Sequence, residues 1–304
     1  MFTTFVVQPI FNLLVLIYAL IPGHNFGLAI ILFTILIRIL MLPLIRKQLH
    51  HAKAIRQLQP ELKKIKLSTK GDRQKQSQMT MELYKERQIN PFASLGVVLV
   101  QIPILIGLYY AVKRIVENPQ QIVDFSYSFI SNISWLKTLA TDINMFDETL
   151  LGVIDLTRKA VGEGGVYWPA MLLVIGSAGA QFLQSRQLMP KSEDARPLKK
   201  ILSEAGKGKT ADQTEVNAAV GRATLYLIPG FVFIISLNFP SALPLYWFTG
   251  STIAFLQQRR ILKEDVSEAE AVAAVSEPDP VTKKQKAKAR KNAKNSRSKG
   301  RRKK

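Results

Sequence analysis

Cysteine is missing from all 304 residues, which excludes disulfides, zinc thiolate sites, a cysteine nucleophile and an acylated lipoprotein cysteine. Histidine is scarce. His24, His50 and His51 form no HExxH arrangement, and neither GxSxG nor a Gly-rich phosphate loop occurs, so hydrolytic, metal and nucleotide chemistry lack their groups. Ser177, in the stretch GSAGA, is read as a helix-packing residue and not as a nucleophile. Carboxylates are absent from every long apolar block, which argues against proton- or sodium-coupled transport, whose relays use them. The chain is expected to be non-enzymatic, with no metal and no cofactor.

The hydrophobic 47% of the chain is gathered into five blocks, 28–45, 92–112, 167–183, 226–237 with flanks from about 224, and 242–256. Such blocks point to an all-α polytopic membrane protein. Only four residues, Asn238 to Ser241, separate the last two, so these form a tight transmembrane hairpin. Basic and acidic counts between blocks are twelve and four in 46–91, three and seven in 117–166, eight and five in 186–222, and sixteen and six from Arg259 onward. By the positive-inside rule the first, third and last of these are cytoplasmic, which requires five spans, an outside amino terminus and a cytoplasmic carboxy terminus. Lys113 and Arg114 run against the trend without reversing it.

The expected organisation follows from these blocks: transmembrane helices at 23–46, 91–114, 167–187, 223–239 and 240–260; a cytoplasmic helical hairpin at 47–90 with stretches near 47–65 and 73–87; an extracytoplasmic loop at 115–166; a cytoplasmic loop at 188–222; and a disordered polybasic tail at 261–304. Residues 1–22 carry Thr4, Gln8 and Asn12 at four-residue spacing, interrupted by Pro9, and are read as an amphipathic helix lying on the outer leaflet in preference to a sixth span. They have no basic start and no small-x-small cleavage site, so removal as a signal peptide is not expected. The tail has thirteen basic and no acidic residues between Lys283 and Lys304. Lys283, Lys284, Lys286, Lys288, Arg290, Lys291, Arg301 and Arg302 suit phosphate-rich partners, ribosomal RNA or anionic lipid headgroups alike.

Arg38 lies in the middle of the first block. A guanidinium at that depth costs about 2.5–3.5 kcal/mol even on lenient insertion scales. With no acidic residue in any block to neutralise it, the charge implies a wet, electropositive groove awaiting a negative charge from elsewhere. Thr34 lies one turn before it on the same face. Gln101, Ser177, Gln181, Gln184, Thr249 and Ser251 are further intramembrane polar residues able to share the cavity, with Tyr246 and Trp247 at the head of the last block.

The phrase FGLAIILFTILIRILMLPLIRKQ at 26–48, LQPELKKIK at 58–66 and LYKERQINPFASLGVVLVQIPILIGLYYAV at 83–112 resembles the YidC/Oxa/Alb family of membrane protein insertases. FLQSRQLMP at 182–190 and LIPGFVFIISLNFPSALPLYWFTGS at 227–251 extend the match. The resemblance implies five helices around a hydrophilic groove and an insertase that receives nascent membrane proteins from the ribosome, alone or beside the Sec translocon. It implies that Arg38 is the groove arginine, that Gln184 and Trp247 line the groove, and that the tail is a ribosome-binding extension. The sequence looks like the short form of the family, lacking a large extracytoplasmic domain and the lipoprotein cysteine, with a longer 117–166 loop than the core pattern. The bacterial inner membrane is the expected location. Two other readings compete: a small-anion carrier or channel using Arg38 as its anion site, and a membrane scaffold for ribosomes.

Overall fold

The computed structural model describes residues 1–69, 72–88, 93–188, 203 and 213–276. The basic tail residues Lys283 to Arg302, and most of the expected loop 188–222, lie outside them. Contacts divide the chain into two units, 1–259 and 260–304; in the second, the described residues continue the last helix to Ser276.

The first unit is helical. A π-wound turn, Thr3–Val7, leads into α1, Gln8–Leu20, whose first turn accepts Pro9 because that position needs no N–H donor. After a turn through Gly23 and His24, both at positive φ, Asn25 caps α2, Phe26–Leu40, by accepting from the Leu28 N–H at 3.0 Å. Helix α3, Leu42–Gln57, departs at 59°. The block expected as one span to residue 46 is thus divided at Met41. Pro43 explains the break, since it offers no N–H to the carbonyl of Ile39 and its ring collides with that carbonyl.

Helices α4, Gln59–Ser68, and α5, Arg73–Glu86, follow. The first stretch of the expected hairpin is therefore two helices, parted at Leu58 ahead of Pro60. Arg87 donates to both carboxylate oxygens of Glu61 at 3.0 and 3.2 Å, tying α5 to α4 in a water-exposed pair worth about 0–1 kcal/mol.

Helix α6, Ala93–Glu117, is followed by a folded connector: α7, Gln121–Asp124; α8, Ser128–Ser131; α9, Ser134–Thr141; and two short antiparallel hairpins, β1 Thr149–Leu150 with β2 Ile154–Asp155, and β3 Val161–Gly162 with β4 Gly165–Val166. Then come α10, Trp168–Leu188, α11, Gln213–Leu237, and α12, Ala242–Ser276. The four-residue turn between the last two stands as read. It is stitched to the connector by backbone: Ser241 N–H donates to the Arg158 carbonyl at 2.9 Å, Ala242 N–H to the Leu156 carbonyl at 3.1 Å, and Lys159 bridges Pro240.

Packing pairs α1 with α2 and α6, α3 with α6, and α10 with α11. One core joins Phe11, Leu14 and Tyr18 of α1, Phe26, Ile30 and Phe33 of α2, and Leu108, Val112 and Ile115 of α6 to Ile122, Ile130, Leu136 and Leu139 of the connector. Outside it, Leu99, Ile102 and Ile106 of α6 and Tyr226, Leu227, Phe231 and Ile234 of α11 stand exposed. A water-facing surface does not tolerate such a run; acyl chains do. Among the described residues, Thr3–Leu20 and Leu99–Glu117 are long and apolar enough to cross a membrane, the bent α2–α3 pair makes a third crossing if taken together, and Ala223–Leu237 is a shorter apolar helix.

Asn12 has a role that its spacing with Thr4 and Gln8 does not announce. It is buried, donates to the Gln8 carbonyl at 2.8 Å and to the Phe125 carbonyl at 3.4 Å, and accepts from the Tyr127 N–H. Asn12→Ala leaves that partly buried N–H without its acceptor, at about 1 kcal/mol. The expected result is faster hydrogen exchange in residues 120–131, with α10 and α11 unchanged.

Candidate functional site

Arg38 occupies the last turn of α2. Its guanidinium reaches back toward Thr34, one turn earlier on the same helix, because helical side chains lean toward the N-terminus. Among the described residues no carboxylate pairs with Arg38. The charge therefore has no counter-ion among the described residues.

One face of α12 runs beside that turn. Tyr246, Gly250 and Gln257 recur at four and seven residues, so they share a helix face. Gln257 Nε2 donates to the Arg38 carbonyl at 3.4 Å. A methyl group at Gly250 would lie 3.4 Å from Arg38 Nη2 and 3.6 Å from Thr34 Cγ2, so glycine lets α12 approach until the guanidinium lies along its backbone. The buried Tyr246 hydroxyl feels the Arg38 charge and receives a 2.6 Å hydrogen bond from Gln101 Nε2 on α6. Arg38, Thr34, Tyr246, Gly250 and Gln101 are thereby brought together from three helices.

Thr34 enters through its methyl group, because its hydroxyl donates at 2.6 Å to the Ile30 carbonyl of its own helix. A second polar contact links α10 to α12, where Ser251 Oγ donates to Gln181 Oε1 at 2.9 Å. Ser177 bonds back to the Val174 carbonyl at 2.8 Å, and the neighbouring Gly176 would place a methyl 3.1 Å from the Phe248 ring; the helix-packing reading of that stretch matches this geometry. Gln184 Oε1, Gln257 Oε1 and Gln258 Oε1 are buried acceptors without a hydrogen-bond partner. Orphaned amide oxygens at the end of the helices where Arg38 lies call for water or a donor from outside the chain.

Trp247 makes a different set of contacts. It packs on the apolar core and 6.4 Å from the Phe239 ring, toward the turn between α11 and α12 and one helix face away from Tyr246. Sequence reasoning placed Tyr246 at the head of the block without choosing it as a site residue, and missed Gly250. The four-residue spacing from Tyr246 to Gly250 was the available signal. Leucine or valine at Gly250 would push the guanidinium off its floor; alanine, at ordinary contact distance, would not.

Residues 16–268 match the model of the family described as 60Kd inner membrane protein. The chain is 31% identical over 266 residues to the membrane protein insertase MisCA of Bacillus subtilis, covering 86% of this chain and 79% of that protein. It is 31% identical to the membrane protein insertase YidC of Fusobacterium nucleatum, over 79% of this chain and 87% of the relative. Membrane protein insertase YidC 2 of Bacillus anthracis is 30% identical, with 85% and 80% covered.

Proposed function

Because the chain belongs to the 60Kd inner membrane protein family, the polytopic insertases of the YidC type, we propose that it inserts the transmembrane segments of nascent membrane proteins through a groove whose attracting charge is Arg38. The observation that carries the reading is the half-buried Arg38 guanidinium, without a carboxylate partner among the described residues, lying against Gly250 and beside buried glutamine oxygens that lack partners. An incoming segment with acidic residues at its leading end supplies the missing anion. The polar surroundings hold water, which shortens the low-dielectric path for translocated groups. Tyr246, oriented by Gln101, adds a donor to an arriving carboxylate.

The driving force is partitioning. As the client's apolar stretch slides along the exposed rows of α6 and α11, each square ångström withdrawn from water contributes about 25 cal/mol, and no nucleotide is needed. Release is sideways into lipid. The segment 47–90 and the basic tail receive the ribosome in this scheme, the Sec translocon is an additional partner, and anionic lipids hold the tail when no ribosome is present. The membrane is the bacterial inner membrane, with five spans of which the first is bent at Met41, the amino terminus outside and the carboxy terminus in the cytoplasm.

Co-translational synthesis of a short single-span client in the presence of vesicles tests the proposal. Protein-containing vesicles should protect the client from protease, and empty ones should not. Equal protection in both discards the function. An anion carrier would instead pass a small anion across the same vesicles without affecting the client.

A further inference from the structure

A cavity of about 360 Å³ lies between the last turns of α6, the connector and the turn joining α11 to α12. We propose that it binds the phosphodiester headgroup of an anionic phospholipid in the outer leaflet; the leaflet, though not the site, rests on the orientation proposed above. Tyr109, Lys113, Glu117, Lys159, Phe239 and Pro240 line it.

Charge is the first argument. Five cations fall on this side of the chain: Lys113, Arg114, Lys137, Arg158 and Lys159. Arg114 is occupied over the Phe125 ring at 4.3 Å and by Gln121 at 3.2 Å, and Arg158 covers the Tyr167 ring at 4.0 Å. Of the other three, Lys113 and Lys159 both line the cavity. Glu117 pairs with Lys113 at 3.6 Å, while Lys159 has no ion-pair partner among the described residues. The cavity therefore holds one net positive charge, which matches one phosphodiester, within a segment that has seven acidic and three basic residues over 117–166. The segment as a whole carries a net charge of −4, three basic against seven acidic residues, so the cavity is a local exception to its sign.

Depth and size complete the case. Lys113 and Glu117 sit in the final turn of a helix long and apolar enough to cross the membrane, where hydrocarbon gives way to headgroups. The Tyr109 and Phe239 rings, 5.2 Å apart, form an amphipathic wall suited to the glycerol backbone and first methylenes. The volume is at the lower end of small-ligand pockets, about 300–1,000 Å³, which admits a headgroup and excludes a folded client segment.

Native mass spectrometry of the full-length protein, purified from vesicles of phosphatidylglycerol or phosphatidylcholine, reads the site. One phosphatidylglycerol should be retained, falling at least fivefold in Lys113→Gln/Lys159→Gln and staying at the wild-type level in Lys113→Arg/Lys159→Arg and in Lys137→Gln. Retention by the Gln pair, loss by the Arg pair, or equal retention of phosphatidylcholine overturns the proposal. Displacement by excess inorganic phosphate overturns the lipid as the occupant. Orientation is read separately on Gly162→Cys, an exposed position with no atom within 4 Å of the added Cβ in a chain otherwise free of thiols. An impermeant maleimide should label it in intact cells; labelling only after lysis overturns the outer-leaflet placement alone, leaving the lipid readout to decide the site.

Discussion

Arg38→Ala should slow insertion of an acidic-headed client at least about 30-fold, whereas Arg38→Lys should stay within a few-fold of wild type. The reasoning is electrostatic. At ~4 Å and an effective dielectric of ~20, the attraction between a guanidinium and a carboxylate is about 4 kcal/mol. If only half of it is realised as the carboxylate passes the buried turn, the loss is ~2 kcal/mol, or about 30-fold in rate. Lysine keeps the charge and loses the planar fork. A client whose leading end is neutral has no such attraction to lose and should change by less than about threefold. Protease protection against time, with both clients and all three proteins, checks this. An alanine variant that handles both clients like wild type would leave the groove without its charge mechanism.

A chain ending at Pro280 should bind ribosomes at least about 100-fold more weakly at low salt. The thirteen basic residues from Lys283 to Lys304 provide enough charge for six to ten phosphate contacts, and such a set loses about 10³–10⁵ in affinity between 50 and 200 mM salt through counterion release. The full chain should therefore show a steep linear fall of log affinity with log salt, and the truncated chain a shallow one. Sedimentation of ribosomes with each protein across a salt series gives both slopes. Insertion by the truncated chain should persist at reduced efficiency, because the proposal gives recruitment to the tail and insertion to the groove. Parallel slopes would assign the tail to lipid headgroups alone.

Much of this architecture was legible in the sequence, for reasons that differ between elements. The all-α class, the family and the turn at residues 238–241 follow from local composition and motif. The break at Met41 was legible in principle, because a proline two residues past it forbids a continuous helix. The first stretch of the cytoplasmic hairpin was read as one helix despite Pro60, which sits in the first turn of a new helix as readily as it ends an old one. Asn12 was misleading: its spacing with Thr4 and Gln8 suggested an outward polar stripe, yet its partners are backbone groups of Phe125 and Tyr127, more than a hundred residues away. Tyr246 escaped for the same reason, since its partner Gln101 lies 145 residues earlier. The small hairpins of the connector carry turn signals, Leu151-Gly152 and the Gly164-Gly165 pair, but strands of two residues leave no periodicity to detect.

The stitching of the α11–α12 turn into the connector bears on bioenergetics. Main-chain bonds from Ser241 and Ala242, backed by Phe26, Phe33 and the connector's buried side chains, stopper one end of the bundle, so the water that the proposal places around Arg38 would reach a single aqueous compartment. A notch of this kind needs no gate, because ions that enter it have nowhere to go. A cell can then carry many copies without short-circuiting its proton-motive force, and vesicles filled with the protein should hold an imposed pH gradient as long as empty ones.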